Sequence, residues 1–340
     1  MEMLKGMALL LLALSCFSMF SLKAPNGQKA MSGLANAAVA TFLVEALHKF
    51  ISGNMLGFAF LGNVGSIVGG LGGVASGSLV MLALGINPVF AIATGLALSG
   101  MGILEGFIVG YALSFLVPVI EKRLPEGVDV IVGVLVLAPL GRFIAEAVSP
   151  VVTITLNQLG EMILNASSQS PILMGLLLGG LIKVICTAPL SSMALTAILG
   201  LTGLPMGIAC VACFGGCFAN GITFYRLKLG SKSKAISMML EPLTQADIVT
   251  ANPVPIFSSS FVGGALAGLS AAYFNIIADA PGTASPIPGL LTPFAFNPAG
   301  TVALAMFFAM IGGVIGGYVM STIFLAIKTK KESKQQMIQA

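Results

Sequence analysis

The residues best equipped for chemistry lie together in residues 237–255, SMMLEPLTQADIVTANPVP. A carboxylate, Glu241, is followed at once by Pro242, then by Thr244, Gln245, Asp247, Thr250 and Asn252. The run AISMML just before Glu241 is too apolar for a solvated loop. An acid at membrane depth is costly unless it faces protein or water, which makes it a candidate functional group. Backbone broken by proline at that depth is tolerated only inside protein or beside a wet cavity. The two features together predict a re-entrant hairpin over 235–252 that presents hydrogen-bonding groups to a polar solute. A carboxylate accepts several hydrogen bonds from neighbouring hydroxyls, and such charge-assisted bonds are the stronger kind. A polyol stripped of water needs partners of this type to replace its lost bonds. Thr244, Gln245 and Asn252 are suitable neighbours of Glu241. A second interruption, LIKVICTAPLSSM, offers Thr187, Ser191 and Ser192, with Lys183 one helical turn before Thr187. The other reading of 235–252, a cytoplasmic loop with a solvated Glu241, conflicts with the apolar run.

Other reactive types point to less. Cys210, Cys213 and Cys217 share one helical face, as small packing residues do, and no histidine lies near them to complete a metal set. Five cysteines in all is an odd number and argues against a disulfide framework. No metal and no cofactor is expected. His48, the single histidine, falls near a predicted helix end with Glu45 and Lys49, whose i, i+4 spacing suits an ion pair. Arg142 and Glu146 have the same spacing. Glu105, within GILEGF, is a second candidate intramembrane acid.

The elements that must hold these groups are membrane helices. Of 340 residues 57% are hydrophobic and 8% charged, with a mean hydropathy of +1.02. A soluble domain carries roughly 25% charged residues. The apolar segments are continuous, which excludes the alternation of a β-barrel. The 42 glycines suit close helix packing and the 17 prolines suit broken helices. The net charge of +4 lies mainly in loops and the tail, and the basic, aromatic-bearing surface of a nucleic-acid binder is missing.

Along the chain, residues 7–22 read as a retained first span rather than a cleaved signal. A helix follows over 32–50. Residues 54–83 and 87–120 are glycine-rich and punctuated at Asn87-Pro88, each either one tilted helix or a helix with a half-helix. Residues 128–165 divide at Ser149-Pro150, the second part amphipathic and suited to the interface. Further spans are expected within 171–225, 253–277 and 300–327. The positive-inside bias places Lys122, Arg123, the loop 226–234 and the tail in the cytoplasm. About ten spans satisfy this, although Lys23 and Lys29 then fall outside. The expected organisation is an N-terminal scaffold and dimerisation region over 1–125, a substrate-binding and transport region over 126–327, and a basic cytoplasmic tail over 328–340. The stretch NVGSIVGGLGGVASG at 63–77 motivates the homodimer surface.

Four stretches, in order and spacing, resemble one family: GGLIKVICTAPLSSMAL, GLPMGIACVACF, MMLEPLTQADIVTANPVPIFSSSFVGGALAG and DAPGTASPIPG. The chain resembles the membrane-embedded EIIC subunits of the bacterial sugar phosphotransferase system, nearest the fructose-like branch. The resemblance covers roughly residues 30–327 and is strongest over 175–275. It implies an all-α membrane protein of the bacterial cytoplasmic membrane, with re-entrant hairpins. It also implies translocation of a sugar or sugar alcohol for phosphorylation by a separate IIB protein, itself fed by IIA. In that family a Gly-Ile-Thr-Glu segment supplies a carboxylate to sugar hydroxyls, and Glu241 occupies the matching position. Met238, Met239 and Leu240 stand where Gly-Ile-Thr is usual, and Ala280-Pro281-Gly282 where the fructose-like branch has Pro-His-Gly-Gly. The chain shows no phosphoryl-carrying residue of its own, and a stand-alone subunit is expected. The residues alone also admit an ion-coupled or facilitative carrier using Glu241 or Glu105, and a non-transporting sensor on the same fold.

Overall fold

In the computed structural model the backbone is described for all residues except Met1, Glu126, Ser191 and Ala340, and the side chains of 2–4, 55, 194, 197, 198 and 330–339 are also left undescribed. Among the described residues there is no strand. The helices are α1 (Glu2–Lys23), α2 (Gly27–Ala38), α3 (Ala59–Gly69), α4 (Gly72–Ala83), α5 (Pro88–Ala97), α6 (Ile103–Ser114), α7 (Val117–Arg123) and α8 (Val128–Ser167). They continue as α9 (Pro171–Thr187), α10 (Ser192–Ile198), α11 (Gly203–Arg226), α12 (Lys232–Leu240), α13 (Ala246–Ala251), α14 (Pro253–Tyr273), α15 (Pro286–Leu291) and α16 (Ala299–Gln339). Seven stretches are long and apolar enough to cross a membrane, and the α3–α4 pair, bent by 57°, makes an eighth if counted as one broken span. Two shorter apolar helices, α5 and α9, add to these. The all-α membrane architecture read from composition is therefore the architecture found.

The chain divides into two compact units. The first holds residues 1–162, 193–195 and 243–251. Here α2 packs on α4 and α6, and α13 packs on α1 and α2. Its core includes Met31, Leu34, Val80, Phe107 and Leu243. Glycine permits the close crossings: a Cβ on Gly33 would lie 2.7 Å from the Val80 Cα, and one on Gly110 2.7 Å from the Gly77 carbonyl. In lipid, burial of apolar surface does little to drive helices together, so such van der Waals contact carries the association.

The second unit holds residues 163–192, 196–242 and 252–340. Its centre is α14, which packs along α9, α11 and α16. Gly268 meets the Gly175 carbonyl, Gly264 the Gly179 carbonyl, and Gly316 the Gly263 backbone. The glycines of LLLGGLIK, FVGGALAG and MIGGVIGG thus form the seams of this unit.

Several local expectations change. The predicted 32–50 helix begins at Gly27 and runs to Met55, with π-helical turns over Val39–Leu43 and Glu45–Met55. His48 is therefore inside a helix rather than at its end, with its Nδ1 buried. The stretch 54–83 is the bent pair α3–α4, and 87–120 takes the second expected form, the shorter helix α5 with a membrane-length span over Ile103–Arg123. Asn87 begins α5 by accepting the Val89 N–H at 2.9 Å, with Pro88 in the first turn. The expected division at Ser149-Pro150 is overturned, because α8 passes unbroken through Pro139 and Pro150. Proline deletes one donor per site, but in lipid leaving the helix would orphan many more groups. The helix exposes Leu135, Phe143, Val151 and Ile154, and its last part is amphipathic, with Leu159, Met162, Ile163 and Ala166 buried and Asn157, Gln158 and Glu161 exposed. The paired charges stand as read: Lys49 Nζ to Glu45 Oε1 and Arg142 Nε to Glu146 Oε1, each 2.7 Å. Arg142 additionally donates to the Ser99 carbonyl at 2.8 Å.

Candidate functional site

The polar interior of the second unit starts from three helices with almost no polar residues. On α9, Lys183 and Thr187 are four apart and share a face. On α11, Cys213, Cys217 and Asn220 share a face at spacings of four and three. On α14, the run Ser258-Ser259-Ser260 brings hydroxyls to the same level. All of Lys183, Thr187, Asn220, Ser259 and Ser260 are fully buried.

These groups satisfy one another. Asn220 Nδ2 donates to Thr187 Oγ1 at 3.0 Å, and the Ser260 hydroxyl donates to Asn220 Oδ1 at 2.7 Å. Ser260 Oγ also lies 3.2 Å from Thr187 Oγ1, closing a three-residue ring across three helices. Thr187 passes its own proton to the Lys183 carbonyl at 2.9 Å. Next to this ring, Thr223 donates to Ser259 Oγ at 2.9 Å. Buried polar groups left unpaired are costly, so a closed ring fixes helix register as well as satisfying its members.

Lys183 is the unusual member. Its Nζ donates to Cys217 Sγ at 2.9 Å and reaches the Cys213 carbonyl at 3.4 Å. Its aliphatic stem lies against Gly216 and Gly264: a Cβ on Gly216 would sit 2.6 Å from Lys183 Cγ, and one on Gly264 would meet Lys183 Cβ. Two glycines on facing helices therefore make the groove that carries a buried cation. Cys217 does more than fill space, because it is the acceptor for that cation. No group of three or more metal-ligating side chains occurs among the described residues.

Glu241 follows the last residue of α12. Its backbone is extended, φ −150° and ψ 101°, and its N–H donates to the Ser237 carbonyl at 2.8 Å. Pro242 explains this, since a residue before proline is pushed out of the helical region. The side chain is 5% exposed. Helix α12 is held to α11 where Gly221 meets the Met239 side chain.

The other candidates separate. After a 3₁₀ turn at Pro242–Gln245, Thr244 and Gln245 belong to the first unit, with Gln245 Nε2 3.3 Å from Thr244 Oγ1. Asn252 stands at the N-terminal boundary of α14 in the second unit. Ser192 donates to the Ala284 carbonyl at 2.6 Å and ties α10 to the proline-rich connector. Ser191 lies outside the described residues. Glu105 is buried in the first turn of α6, where the helix dipole favours a carboxylate. Asn220 and Ser260 were not singled out from sequence. An asparagine inside FANGITF and a triple serine inside an apolar span were the available signals.

The chain is thus a helical membrane protein with a buried carboxylate where a helix breaks and a closed polar ring among α9, α11 and α14. The chain belongs to the phosphotransferase system EIIC family, whose family model matches residues 28–339. It is a membrane sugar permease subunit of such a system. No curated protein and no solved structure matches it.

Proposed function

We propose that Glu241 is the principal sugar ligand of this permease. The observation that carries the reading is a buried carboxylate on extended backbone at a Glu-Pro step, at the end of a helix packed against α11 of the second unit. In this reading Glu241 accepts hydrogen bonds from adjacent hydroxyls of a sugar or sugar alcohol. Thr187 and Ser192, Ser191 beside it, and Thr244, Gln245 and Asn252 along the chain after Glu241 are the further candidate ligands. Ser192 already donates to the Ala284 carbonyl and would serve a solute as an acceptor, whereas Thr187 is satisfied by Lys183, Asn220 and Ser260 and would have to exchange one of these partners for the solute.

The sugar is then phosphorylated by a separate IIB protein, with IIA upstream of it. A phosphorylated sugar carries charge that bars its return through an apolar interior, so transfer makes uptake one-way. The reading also includes a homodimer formed by region 1–125, a transport region over 126–327, and residence in a bacterial cytoplasmic membrane. The dimer part rests on the glycine content of 63–77 as sequence, since Gly65, Gly69, Gly73 and Gly77 lie against the chain's own residues.

Equilibrium binding of a panel of sugars and sugar alcohols to purified protein tests the ligand assignment. Binding of at least one member, lost on Glu241→Gln while folding persists, is the supporting result. Crosslinking between cysteines placed in 63–77, in native membranes, tests the dimer.

A further inference from the structure

A cleft of about 330 Å³ opens where α11 ends, lined by Tyr225, Arg226, Lys228, Gly230 and Lys232. Three of these five residues are cationic and none is acidic. The turn that follows α11 builds it. Lys228 has left-handed backbone, φ 54°, and the Leu229 N–H returns to the Phe224 carbonyl at 3.1 Å. The chain therefore doubles back and sets Lys228 and Lys232 beside Arg226.

Arg226 is fixed in place. Its Nη1 lies 2.7 Å from the Tyr318 carbonyl, 3.0 Å from Ser321 Oγ and 2.7 Å from Thr322 Oγ1. The guanidinium carbon sits 3.9 Å over the Tyr318 ring. Every one of these partners is neutral. Among the described residues no carboxylate offsets the charge, and Nε and Nη2 carry no bond. A pre-ordered, uncompensated guanidinium flanked by two exposed lysines is the chemistry that receives a phosphate oxygen pair.

We propose that this cleft binds the phosphate of an anionic phospholipid headgroup. The surroundings favour a lipid over a soluble anion. Arg226 closes a membrane-length span, and Tyr318 lies within another. Tyr225 and Tyr318 are both exposed, as interfacial aromatics are, in a chain without tryptophan. From Tyr318 back toward the middle of the span, the exposed side chains Ile315, Phe308 and Leu304 follow along one side of α16. That stripe supplies apolar surface for the acyl chains below a headgroup held at Arg226. Basic pockets between membrane helices take headgroups in this way. The site is independent of the sugar reading and is tested without any sugar.

The test uses the full chain, purified in detergent and delipidated, with phosphatidylglycerol, phosphatidylcholine or inorganic phosphate added. Thermal midpoint and lipid retained in native mass spectra are the readouts. Phosphatidylglycerol should be retained and raise the midpoint, while phosphatidylcholine should do neither. The exposed pair Lys228→Gln/Lys232→Gln should weaken phosphatidylglycerol binding about thirtyfold, from roughly fivefold per lysine. Arg226→Gln also cuts the tie to α16, so the lysine pair is the decisive variant. Equal retention of phosphatidylglycerol by parent and double variant would overturn the proposal. So would equal protection by inorganic phosphate, which would make this a soluble-anion site.

Discussion

Lys183 Nζ donates to Cys217 Sγ at 2.9 Å, across the contact of α9 with α11. The pair explains why a lysine can stand fully buried in the most apolar part of the chain. The thiol sulfur and the Cys213 carbonyl accept from Nζ, and two glycines make room for the stem.

Removing the acceptor should be felt in stability. Cys217→Ala leaves the cation with the longer Cys213 contact, at a cost of about 1–3 kcal/mol. Cys217→Ser restores an acceptor and should recover most of that. Denaturation midpoints in mild detergent, read for both variants beside the parent, check the order Cys217→Ala below Cys217→Ser.

The ring of Thr187, Asn220 and Ser260 should behave as one unit. Asn220→Ala and Ser260→Ala each break the bond the two residues share, stranding the Ser260 hydroxyl in one case and Asn220 Oδ1 in the other. The double variant should therefore be less destabilised than the sum of the two, by about 0.5–3 kcal/mol. A thermodynamic cycle on unfolding free energies gives the coupling directly. Additive losses would mean the ring has no energetic reality.

The seam between α9 and α14 has no spare volume at Gly264. Its Cβ position is occupied by the Lys183 stem and faces the Gly179 carbonyl at 2.5 Å. Gly264→Val should cost about 1–3 kcal/mol or more through overpacking. At Gly300, where no atom lies within 4 Å of the Cβ position, Gly300→Ala should be nearly silent. Comparative thermal stability of the two variants is the check.

Much of this fold was legible because membrane helices announce themselves by composition. Glu241, Pro242 and the charged pairs Glu45–Lys49 and Arg142–Glu146 were legible because their logic is local. Two kinds of feature were not. Pro150 reads as a stop in water, yet α8 runs through it, because lipid penalises broken backbone more than one missing donor. Asn220 and Ser260 gain meaning only when α11 and α14 meet α9, and no spacing within one helix encodes that meeting. Cys217 reads as a small packing residue until Lys183, 34 positions earlier, reaches its sulfur.

The central claim rests on Glu241, and sugar affinity of Glu241→Gln tests it most directly. The variant keeps shape and one acceptor but loses the charge. Losing charge-assisted bonds should cost about 1.5–3 kcal/mol, or roughly one to two decades of affinity. Glu146→Gln, which disturbs only the Arg142 pair, should bind like the parent with somewhat lower stability. Titration calorimetry with the best ligand of the sugar panel gives the numbers. Folded Glu241→Gln alone should show a Kd weaker by about ten- to hundredfold. An unchanged Kd in that variant would contradict it.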